Sequence, residues 1–305
     1  MRTICDFSWF QNTYTLEKFK LLNLDGAIFR AGCSTNFDST AHEFAEFANE
    51  CKVPFGLYWY FYPGVNLQKQ CDLFIQSIKA FPELKNAWID VEEHTGTASQ
   101  LDLFYKTVYQ TIKKSYPKVG IYSAAWVMDT YIPNMYKWMQ GVPYWNAHYC
   151  KYYLWFQDYI KSLGGSWKDD TKLIPISNLT GIMQFIYDNR KYEALPKGIK
   201  KSLMLQTITF LPFRELSVYE RHLDYNICSD EDFVTMFGGT YIPPIEVPTS
   251  LYKVTALLGL RIRSTPGGTI VGSKSYGQTV EILEIVNGWG RMSNGWMSMN
   301  WLVKI

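Results

Sequence analysis

The chain has 305 residues, of which 47% are hydrophobic and 19% charged, so it can form a sizeable core and is not globally disordered. Its 30 lysines and arginines nearly balance 28 aspartates and glutamates, which argues against a nucleic-acid or membrane-surface protein. Aromatic residues reach 17%, which is typical of an aromatic core and also suits carbohydrate, because sugar C–H faces stack on flat rings.

The beginning of the chain and its cysteines and histidines exclude several classes of site. Charges at Arg2 and Asp6 without a following apolar stretch predict no secretory signal peptide. The longest uncharged run, 53–68, is broken by prolines and glycines and is shorter than the ~20 apolar residues of a membrane helix, so we expect no membrane insertion. The six cysteines contain no CxxC pair and the four histidines do not cluster, so we expect free thiols, no metal and no cofactor.

Short apolar segments alternate with helical patterns through the first region. The predicted strands are 3–7, 25–30, 55–61, 87–91, 119–123, 144–148, 203–207 and 222–226. Apolar strands separated by helices indicate a parallel sheet covered on both faces, and eight of them indicate a TIM-like α/β barrel. The centres of the last two strands are about 19 residues apart, which leaves little room for a helix between them.

Helical patterns are clearest in two places. One helix is predicted to begin near Thr40, where Thr40 and Glu43 have the spacing of a capping box, and a second to cover about 99–116. The long stretch 150–202 has no strand pattern, and we expect helices there.

A glycine- and proline-rich linker, 239–248, separates a first domain, 1–238, from a second, 249–305. The second domain has six basic and two acidic residues, a net charge of +4, whereas the first 248 residues have 24 and 26, a net charge of −2. Short alternating runs around glycine-containing turns predict a small all-β barrel. The apolar positions of those runs are Leu260, Ile262, Val280, Ile282 and Val303.

The most informative residues are two carboxyl groups at the end of an apolar strand. Asp90 and Glu92 are two residues apart, so on a strand their side chains point to the same face. Barrel enzymes place their chemistry at the carboxyl ends of the strands. Like charges this close raise the proton affinity of one partner, which gives the division into acid and base that glycoside hydrolysis needs. The alternative, an acidic strand end facing solvent, is commoner for such a pair alone.

Two isolated carboxyl groups strengthen the catalytic interpretation. Asp6 ends the first predicted strand and Asp224 lies in the last, and these strands are neighbours if the barrel closes. Either residue alone could cap a helix or brace a turn. Glu93 is expected to point away from the site.

Aromatic residues surround the same strand ends. Tyr58 and Tyr60 share one face of the third strand, and Tyr122, Trp145 and Tyr149 fall at or near other strand ends. Each ring alone is more often part of a core than a ligand contact. As a group around carboxyl groups, they suggest sugar-binding subsites.

Seven short motifs of the first region occur in the order of one enzyme family. They are CDFS from Cys5, DGAIFRAG from Asp25, FGLYWYF from Phe55, IDVE from Ile89, GIYS from Gly120, YWNAHY from Tyr144 and LDYN from Leu223. Together they resemble glycoside hydrolase family 25, the muramidases (lysozymes) common among bacteriophage endolysins. The resemblance implies a (β/α)5(β)3 barrel and hydrolysis of the β-1,4 bond from N-acetylmuramic acid to N-acetylglucosamine in peptidoglycan, with net retention.

The resemblance also implies roles for individual residues. Glu92 is expected to be the general acid/base. Asp90 would either attack the sugar or steady the substrate's own 2-acetamido group as it attacks, and Asp6 and Asp224 would orient the sugar and the site. The predicted substrate-binding residues are Tyr58, Tyr60, Tyr122, Trp145, Tyr149 and Gln206.

The chain departs from the family pattern in two places. Of a strand that usually reads like Trp-Gln-Tyr, only Gln206 remains, and 150–202 is a long insertion that contains Trp155 and Trp167. These departures concern the subsites and the glycan preference.

The second domain resembles a bacterial SH3 domain, a module that usually holds such enzymes to the cell wall. The motifs are LRIRSTP from Leu260, VEIL from Val280, NGW from Asn287, NGWM from Asn294 and WL from Trp301. Its positive charge suits an anionic wall. Trp296 is expected to lie in the core.

Three other functions are weighed against a muramidase. A chitinase-like barrel would need aspartates where Lys85 and Trp88 occur. A catalytically inactive glycan-binding barrel would not need both Asp90 and Glu92. A wall amidase or peptidase would need a zinc cluster or a Cys/His pair, and neither spacing is present. The resemblance to phage lysins implies that the protein stays in the cytoplasm of the producing cell until lysis.

Overall fold

The computed structural model describes residues 1–150, 153–166, 171–217, 219–239, 250–256, 259–286 and 288–305. The chain forms two compact units, Met1–Thr240 and Tyr241–Ile305. Most of the predicted linker, together with Trp167 and Asn287, lies outside the described residues, and the predicted domain limits stay a prediction.

The first unit combines nine strands with eight α-helices among its described residues. The strands are β1 (Arg2–Phe7), β2 (Gly26–Cys33), β3 (Asn36–Phe37), β4 (Phe55–Tyr60), β5 (Ala87–Asp90), β6 (Val119–Ala124), β7 (Tyr144–Ala147), β8 (Met204–Ile208) and β9 (Asp224–Cys228). The helices are α1 (Leu16–Leu22), α2 (Ala41–Cys51), α3 (Leu67–Ala80), α4 (Ala98–Ser115), α5 (Ala125–Tyr131), α6 (Leu154–Ser162), α7 (Leu179–Asp188) and α8 (Asp230–Phe237). Short 3-10 turns cover Trp9–Gln11, Met135–Lys137, Ile176–Asn178 and Arg190–Tyr192.

Eight of these strands close into a barrel in the order β1-β2-β4-β5-β6-β7-β8-β9, and β9 returns to β1. In the barrel, β1, β2 and β4 to β8 pair in parallel, whereas β9 is antiparallel to both of its neighbours. The short strand β3 lies outside the barrel and pairs antiparallel with β2. The predicted eight-stranded barrel is therefore confirmed, but a wholly parallel sheet is wrong. The reason is the short connection after β8, which turns the chain back without a helix among its described residues. Among its described residues, the stretch 150–202 contains helices α6 and α7, as expected.

The predicted capping box at Thr40 is also wrong. Helix α2 does begin after Thr40, but the Thr40 hydroxyl donates to Asp38 Oδ1 at 2.7 Å instead of capping the helix. A capping box forms at Thr97 and Gln100, at the beginning of α4. The acidic side chain two residues before Thr40 competes for its hydroxyl, which the spacing alone does not reveal.

The first unit has two apolar layers. Helices pack on the outer face of the barrel around side chains such as Phe29 and Ile89. A second cluster fills the inside of the barrel around Trp88 and Trp145. Gly120 is required there, because a Cβ atom at this position would lie 2.4 Å from the Trp88 ring.

Helix α8 lies at the amino end of the barrel. Met236 and Phe237 join the inner cluster together with Ile4 of β1, and Phe233 packs against it. Asn86, just before β5, donates to the Met236 carbonyl at 3.2 Å. The opposite end of the barrel, where β1 to β8 finish, is called the mouth below.

The second unit is all-β. Its strands are β10 (Ser250–Val254), β11 (Leu260–Arg263), β12 (Ile270–Lys274), β13 (Thr279–Ile282), β14 (Glu284–Val286), β15 (Trp289–Met292), β16 (Gly295–Ser298) and β17 (Leu302–Lys304), with a 3-10 turn at Met299–Trp301. They form one sheet in the order β13-β10-β17 and a second in the order β12-β11-β16-β15-β14.

The core of the second unit follows the predicted alternation with two exceptions. Leu260, Ile262, Val280 and Ile282 are buried, as the alternation indicates. Val303, however, is 56% exposed, because the residue before it, Leu302, turns inward. Trp296 is half-buried and Met297 fills the core beside it, so the expectation that Trp296 is a core residue is wrong.

Candidate active site

Four carboxyl groups lie at the mouth. Asp90 is the last residue of β5 and Glu92 follows just beyond the strand. Asp6 lies near the end of β1. Asp224 is the first residue of β9, and because β9 runs antiparallel its first residue reaches the same end, where it pairs in register with Asp6. The structure therefore brings together the four carboxyl groups that the sequence singles out.

Asp6 is buried and held by two side-chain amides. Asn226 Nδ2 donates to Asp6 Oδ2 at 2.8 Å, and Gln206 Nε2 donates to the same oxygen at 3.1 Å. Burial raises the pKa of Asp6 from 3.8 to about 7, and the two amide donors oppose this rise by stabilising the ionised form. Asp6 can therefore change its charge near neutral pH.

Asp90 is only 3% exposed, and its Oδ1 has no hydrogen-bond partner among the described residues. Burial raises the pKa of Asp90 well above its usual value, and the charges of Glu92 and Asp6 add to this rise, whereas Arg30 opposes it. A buried carboxyl oxygen without a partner is costly and is typical of sites that contact a ligand.

Glu92 is half-buried beside Tyr122. The Tyr122 hydroxyl lies 3.2 Å from Glu92 Oε1 and 2.7 Å from Gln206 Oε1, and its single proton can serve only one of them at a time. Burial raises the pKa of Glu92, the charge of Glu93 adds to the rise, and the Tyr122 hydrogen bond opposes it. For both Glu92 and Asp90 burial is the largest cause, whereas the sequence argument relied on like charges alone.

Glu93 does not point away from the site, and that expectation is wrong. Its carboxylate accepts a hydrogen bond from the Tyr60 hydroxyl at 3.2 Å, and its carbonyl accepts one from Tyr105 at 2.7 Å. The alternation of faces ends with β5 at Asp90, so it does not govern a residue three positions further along the chain.

The predicted substrate-binding residues divide into two groups. Tyr58, Tyr60 and Tyr149 are half-buried, whereas Tyr122 and Trp145 are buried. The Trp145 ring lies 5.7 Å from Trp88 and 4.4 Å from Tyr122 between ring centroids, so it forms the base of the mouth and offers no open face.

Gln206 links the two sides of the mouth. Its Oε1 accepts hydrogen bonds from Tyr122 at 2.7 Å and from Tyr149 at 2.8 Å, while its Nε2 donates to Asp6. Gln206 is buried, and both its amide oxygen and its amide nitrogen are hydrogen-bonded. It therefore serves to position Tyr122, Tyr149 and Asp6.

No group of three or more histidine, cysteine, aspartate or glutamate residues in the described part of the chain could hold a metal ion. Among the same residues, no helix combines the length and apolar character that crossing a membrane requires. All six cysteines are free thiols.

A comparison with protein families decides the class of this site. The sequence model described as "Glycosyl hydrolases family 25" matches residues 5–162, which include Asp6, Asp90 and Glu92. The chain belongs to glycosyl hydrolase family 25. It is therefore a glycoside hydrolase. The comparison with curated proteins returned no match.

Solved structures share the fold of this family member. A lysozyme from Streptomyces coelicolor is 14% identical to this chain, with a TM-score of 0.55. The match covers 78% of this chain and 97% of the lysozyme. The catalytic domain of endolysin ply40 from bacteriophage P40 of Listeria monocytogenes is 17% identical, with a TM-score of 0.51. The match covers 78% of this chain and 98% of that domain. The spore cortex lytic enzyme SleM of Clostridium perfringens is 14% identical, with a TM-score of 0.54. The match covers 100% of this chain and 96% of SleM.

Two further polar residues, not predicted from the sequence, belong to this hydrolase site. Asn226 holds Asp6 through Nδ2 and accepts a hydrogen bond from Trp145 Nε1 at 2.8 Å. Arg30 is opposite Tyr58 in the pairing of β2 with β4, and its charge lowers the pKa of Asp90. A signal was present for both, because each is a polar residue inside an otherwise apolar strand.

Proposed function

We propose that this glycoside hydrolase degrades bacterial peptidoglycan by cleaving the β-1,4 bond from N-acetylmuramic acid to N-acetylglucosamine. The observation that carries the proposal is the pair at the end of β5. Asp90 presents a buried carboxyl oxygen without a partner among the described residues, and Glu92 beside it has a raised pKa. Solved structures of the same fold include a muramidase from Trichobolus zukalii and the endolysin ply40, which supports this substrate.

Glu92 acts as general acid/base in this proposal. Burial raises its pKa and so favours the protonated form, which can give its proton to the glycosidic oxygen as the bond from that oxygen to C1 breaks. Its carboxylate then takes a proton from water, whose oxygen forms the new bond to C1 as the bond from C1 to the oxygen that attacked first, of Asp90 or of the 2-acetamido group, breaks. The product keeps the configuration of the substrate, because the substituent on C1 is displaced twice and each displacement inverts C1.

Asp90 performs the first displacement or supports it. Its carboxylate either attacks C1 itself or accepts a hydrogen bond from the substrate's 2-acetamido N–H while the acetamido oxygen attacks. The partnerless Oδ1 suits both roles. Asp6 and Asp224 orient the sugar and the pair, and Asp6 is held for this by Asn226 and Gln206.

We assign the tyrosines of the mouth to substrate binding. Tyr58, Tyr60 and Tyr149 keep part of their rings accessible. Tyr122, Trp145 and Gln206 are buried, so they support binding indirectly by holding neighbouring side chains of the mouth in position. Helices follow β1, β2, β4, β5 and β6, and α6 and α7 follow β7. The (β/α)5(β)3 description that we propose therefore counts β7, β8 and β9 as the last three strands and treats α6 and α7 as an insertion.

The second unit is proposed to be an SH3-like domain that holds the enzyme to the wall. The net charge of +4 over residues 249–305 favours an anionic polymer. Its surface has a groove of about 700 Å³ lined by Arg261, Trp289 and Trp301, among others, and the Trp301 side chain is 52% exposed. We also propose that the protein remains in the cytoplasm of the producing cell until lysis, as an endolysin does.

Mass spectrometry of fragments released from purified walls tests the activity. We expect fragments with muramic acid at the reducing end. N-acetylglucosamine at the reducing end would contradict the proposed bond, and free peptides with intact glycan would indicate an amidase. Heat-denatured enzyme provides the background, and chitin oligomers as substrate test the chitinase alternative.

A further inference from the structure

We infer that a groove beside the mouth binds a second muramic-acid unit of the glycan through an aromatic face and a carboxylate. This inference rests on the proposed function, which supplies a polymer with such units. The groove, here called the lateral groove, has a volume of about 390 Å³ and is lined by Trp9, Arg30, Phe37, Asp38 and Tyr62, among others.

Aromatic rings are exposed around the lateral groove although the backbone beneath them is fixed. Trp9 is 49% and Phe37 51% exposed. Trp9 lies in a turn closed by a capping box between Ser8 and Gln11, and its backbone N–H donates to Asp38 Oδ2 at 3.0 Å. Exposed apolar rings in a rigid turn are typical of binding sites, because little conformational entropy is lost when a ligand covers them.

Arg30 adds a cation whose position is also fixed. Its Nε donates to Asp38 Oδ2 at 2.7 Å, and its guanidinium carbon lies 5.3 Å from the centroid of the Phe10 ring. Its two Nη groups make no hydrogen bond to the described residues. A guanidinium has the shape to bind a carboxylate through two parallel hydrogen bonds.

The ion pair with Asp38 leaves part of the Arg30 guanidinium available to a ligand. The Asp38 side chain is 1% exposed and accepts four hydrogen bonds, from the backbone N–H groups of Trp9 and Thr40, the Thr40 hydroxyl and Arg30 Nε. Its charge is therefore shared among four donors, while the Arg30 side chain is 16% exposed. Asp38 holds Arg30 in place and leaves its outer edge for a ligand.

The lateral groove adjoins the catalytic carboxyl groups. Arg30 pairs in register with Tyr58, and Tyr62 packs against Tyr60 with their ring centroids 5.2 Å apart. The Tyr60 hydroxyl in turn donates to Glu93, next to Glu92. A glycan bound at the mouth can therefore continue into the lateral groove.

The combination of rings and a guanidinium selects one type of sugar. N-acetylglucosamine offers a ring face but no charge. Muramic acid offers a ring face and a lactyl group whose carboxyl is either free or extended by a peptide with carboxylates of its own. Both sources supply a carboxylate to Arg30, and the experiment distinguishes them.

The test compares kcat/KM on short and long muramyl glycans, each with and without stem peptides, for the full chain and its variants. Trp9→Ala should lower kcat/KM about tenfold on long glycans, equivalent to ~1.4 kcal/mol, and less than about twofold on the shortest ones. Arg30→Gln also removes a charge that acts on Asp90, so it should lower kcat/KM on every glycan, and about tenfold more on long glycans than on the shortest ones. Loss only on peptide-bearing glycans assigns the carboxylate to the peptide, and loss on both assigns it to the lactyl group. The control is Leu103→Ala, an exposed apolar residue on α4.

Equal losses on short and long glycans would overturn the inference, as would unchanged kinetics in both variants. Neutral chitin oligomers serve as competitors, and weaker inhibition of Arg30→Gln than of the unsubstituted enzyme would overturn recognition of a carboxylate. If Arg30→Gln fails to fold, Trp9→Ala decides, because its side chain is exposed. Failure of the unsubstituted enzyme to cleave any muramyl glycan would overturn the proposed function and this inference with it.

Discussion

Glu92 and Glu93 are neighbours in the chain, but their surroundings give them different chemistry. Glu92 is half-buried beside Tyr122, and its pKa is raised mainly by burial. Glu93 accepts a hydrogen bond from Tyr60 at the edge of the mouth. The chemical type of the site was predictable from the sequence, because carboxyl groups within apolar strands are rare. The surroundings were not, since they come from strands far apart in the chain.

Replacing the proposed acid should stop catalysis without unfolding the protein. Glu92→Gln keeps the size and the hydrogen-bonding atoms of the side chain but cannot donate a proton to the leaving oxygen. We expect kcat to fall by about 10²–10⁴-fold, measured on soluble muramyl glycans. Glu46→Gln, an exposed glutamate on α2, is the matched control. Ordinary turnover in Glu92→Gln would remove Glu92 from the proposed role.

The raised pKa of Asp6 makes stability depend on pH. The folded state favours protonated Asp6, with a pKa of about 7 against 3.8 for an unperturbed aspartate. Stability is therefore lost as the pH rises from about 4 to 7 and changes no further above that range. Asp6→Asn stays neutral at every pH, so it should gain about 4 kcal/mol at pH 8 and little at pH 4.

Urea unfolding at pH 4, 6 and 8 measures this difference. The matched control is Asp72→Asn, an exposed aspartate on α3, whose effect should be small at each pH. A change in the free energy of unfolding of Asp6→Asn that is the same at all three pH values would show that Asp6 is not the titrating group.

At the scale of elements, the pattern of apolar residues gave the positions of all eight barrel strands but not the direction of the last. Direction depends on what connects two strands, and the connection before β9 contains no helix among its described residues. The reversal has a chemical effect. It places Asp224, the first residue of β9, at the mouth, whereas a parallel β9 would place its last residue there.

Helix α4 depends on its capping box in a measurable way. Thr97 accepts a hydrogen bond from the Gln100 backbone N–H, and Gln100 Oε1 accepts one from the Thr97 backbone N–H. Thr97→Ala removes the first of these bonds, and we expect the free energy of unfolding to fall by about 1 kcal/mol. Thr180→Ala, an exposed threonine inside α7, should change it by less than about 0.5 kcal/mol. Equal effects in a thermal or urea melt would argue against the cap.

At the scale of the whole molecule, the change of charge sign and the turn-rich pattern after residue 248 indicated a second β unit with a core of its own. The structure has that core around Val254, Ile282 and Met297. Which ligand the unit binds was not predictable from residues, because a surface groove is made by side chains that share no local pattern.

Removing the second unit should separate binding from cleavage. A chain ending at Gly239 retains every strand of the barrel and helix α8. We expect it to cleave soluble muramyl glycans within about twofold of the full chain but to sediment less with purified walls. Wall binding by the full chain should weaken as salt rises, because charge attraction is screened. Equal sedimentation of the two forms would contradict the proposed anchoring role.

The packing of α8 sets a limit on how short a working enzyme can be. Phe237 and Met236 close the barrel from below, and the ring atoms of Phe233 and Phe237 would lie 3.1 and 3.2 Å from a Cβ atom at Gly26. A version cut before Asp230 would lose this cover over the inner cluster, which contains Trp88 and Trp145. A different second unit should therefore be joined after Phe237, because helix α8 packs as part of the hydrolase and covers the amino end of its barrel.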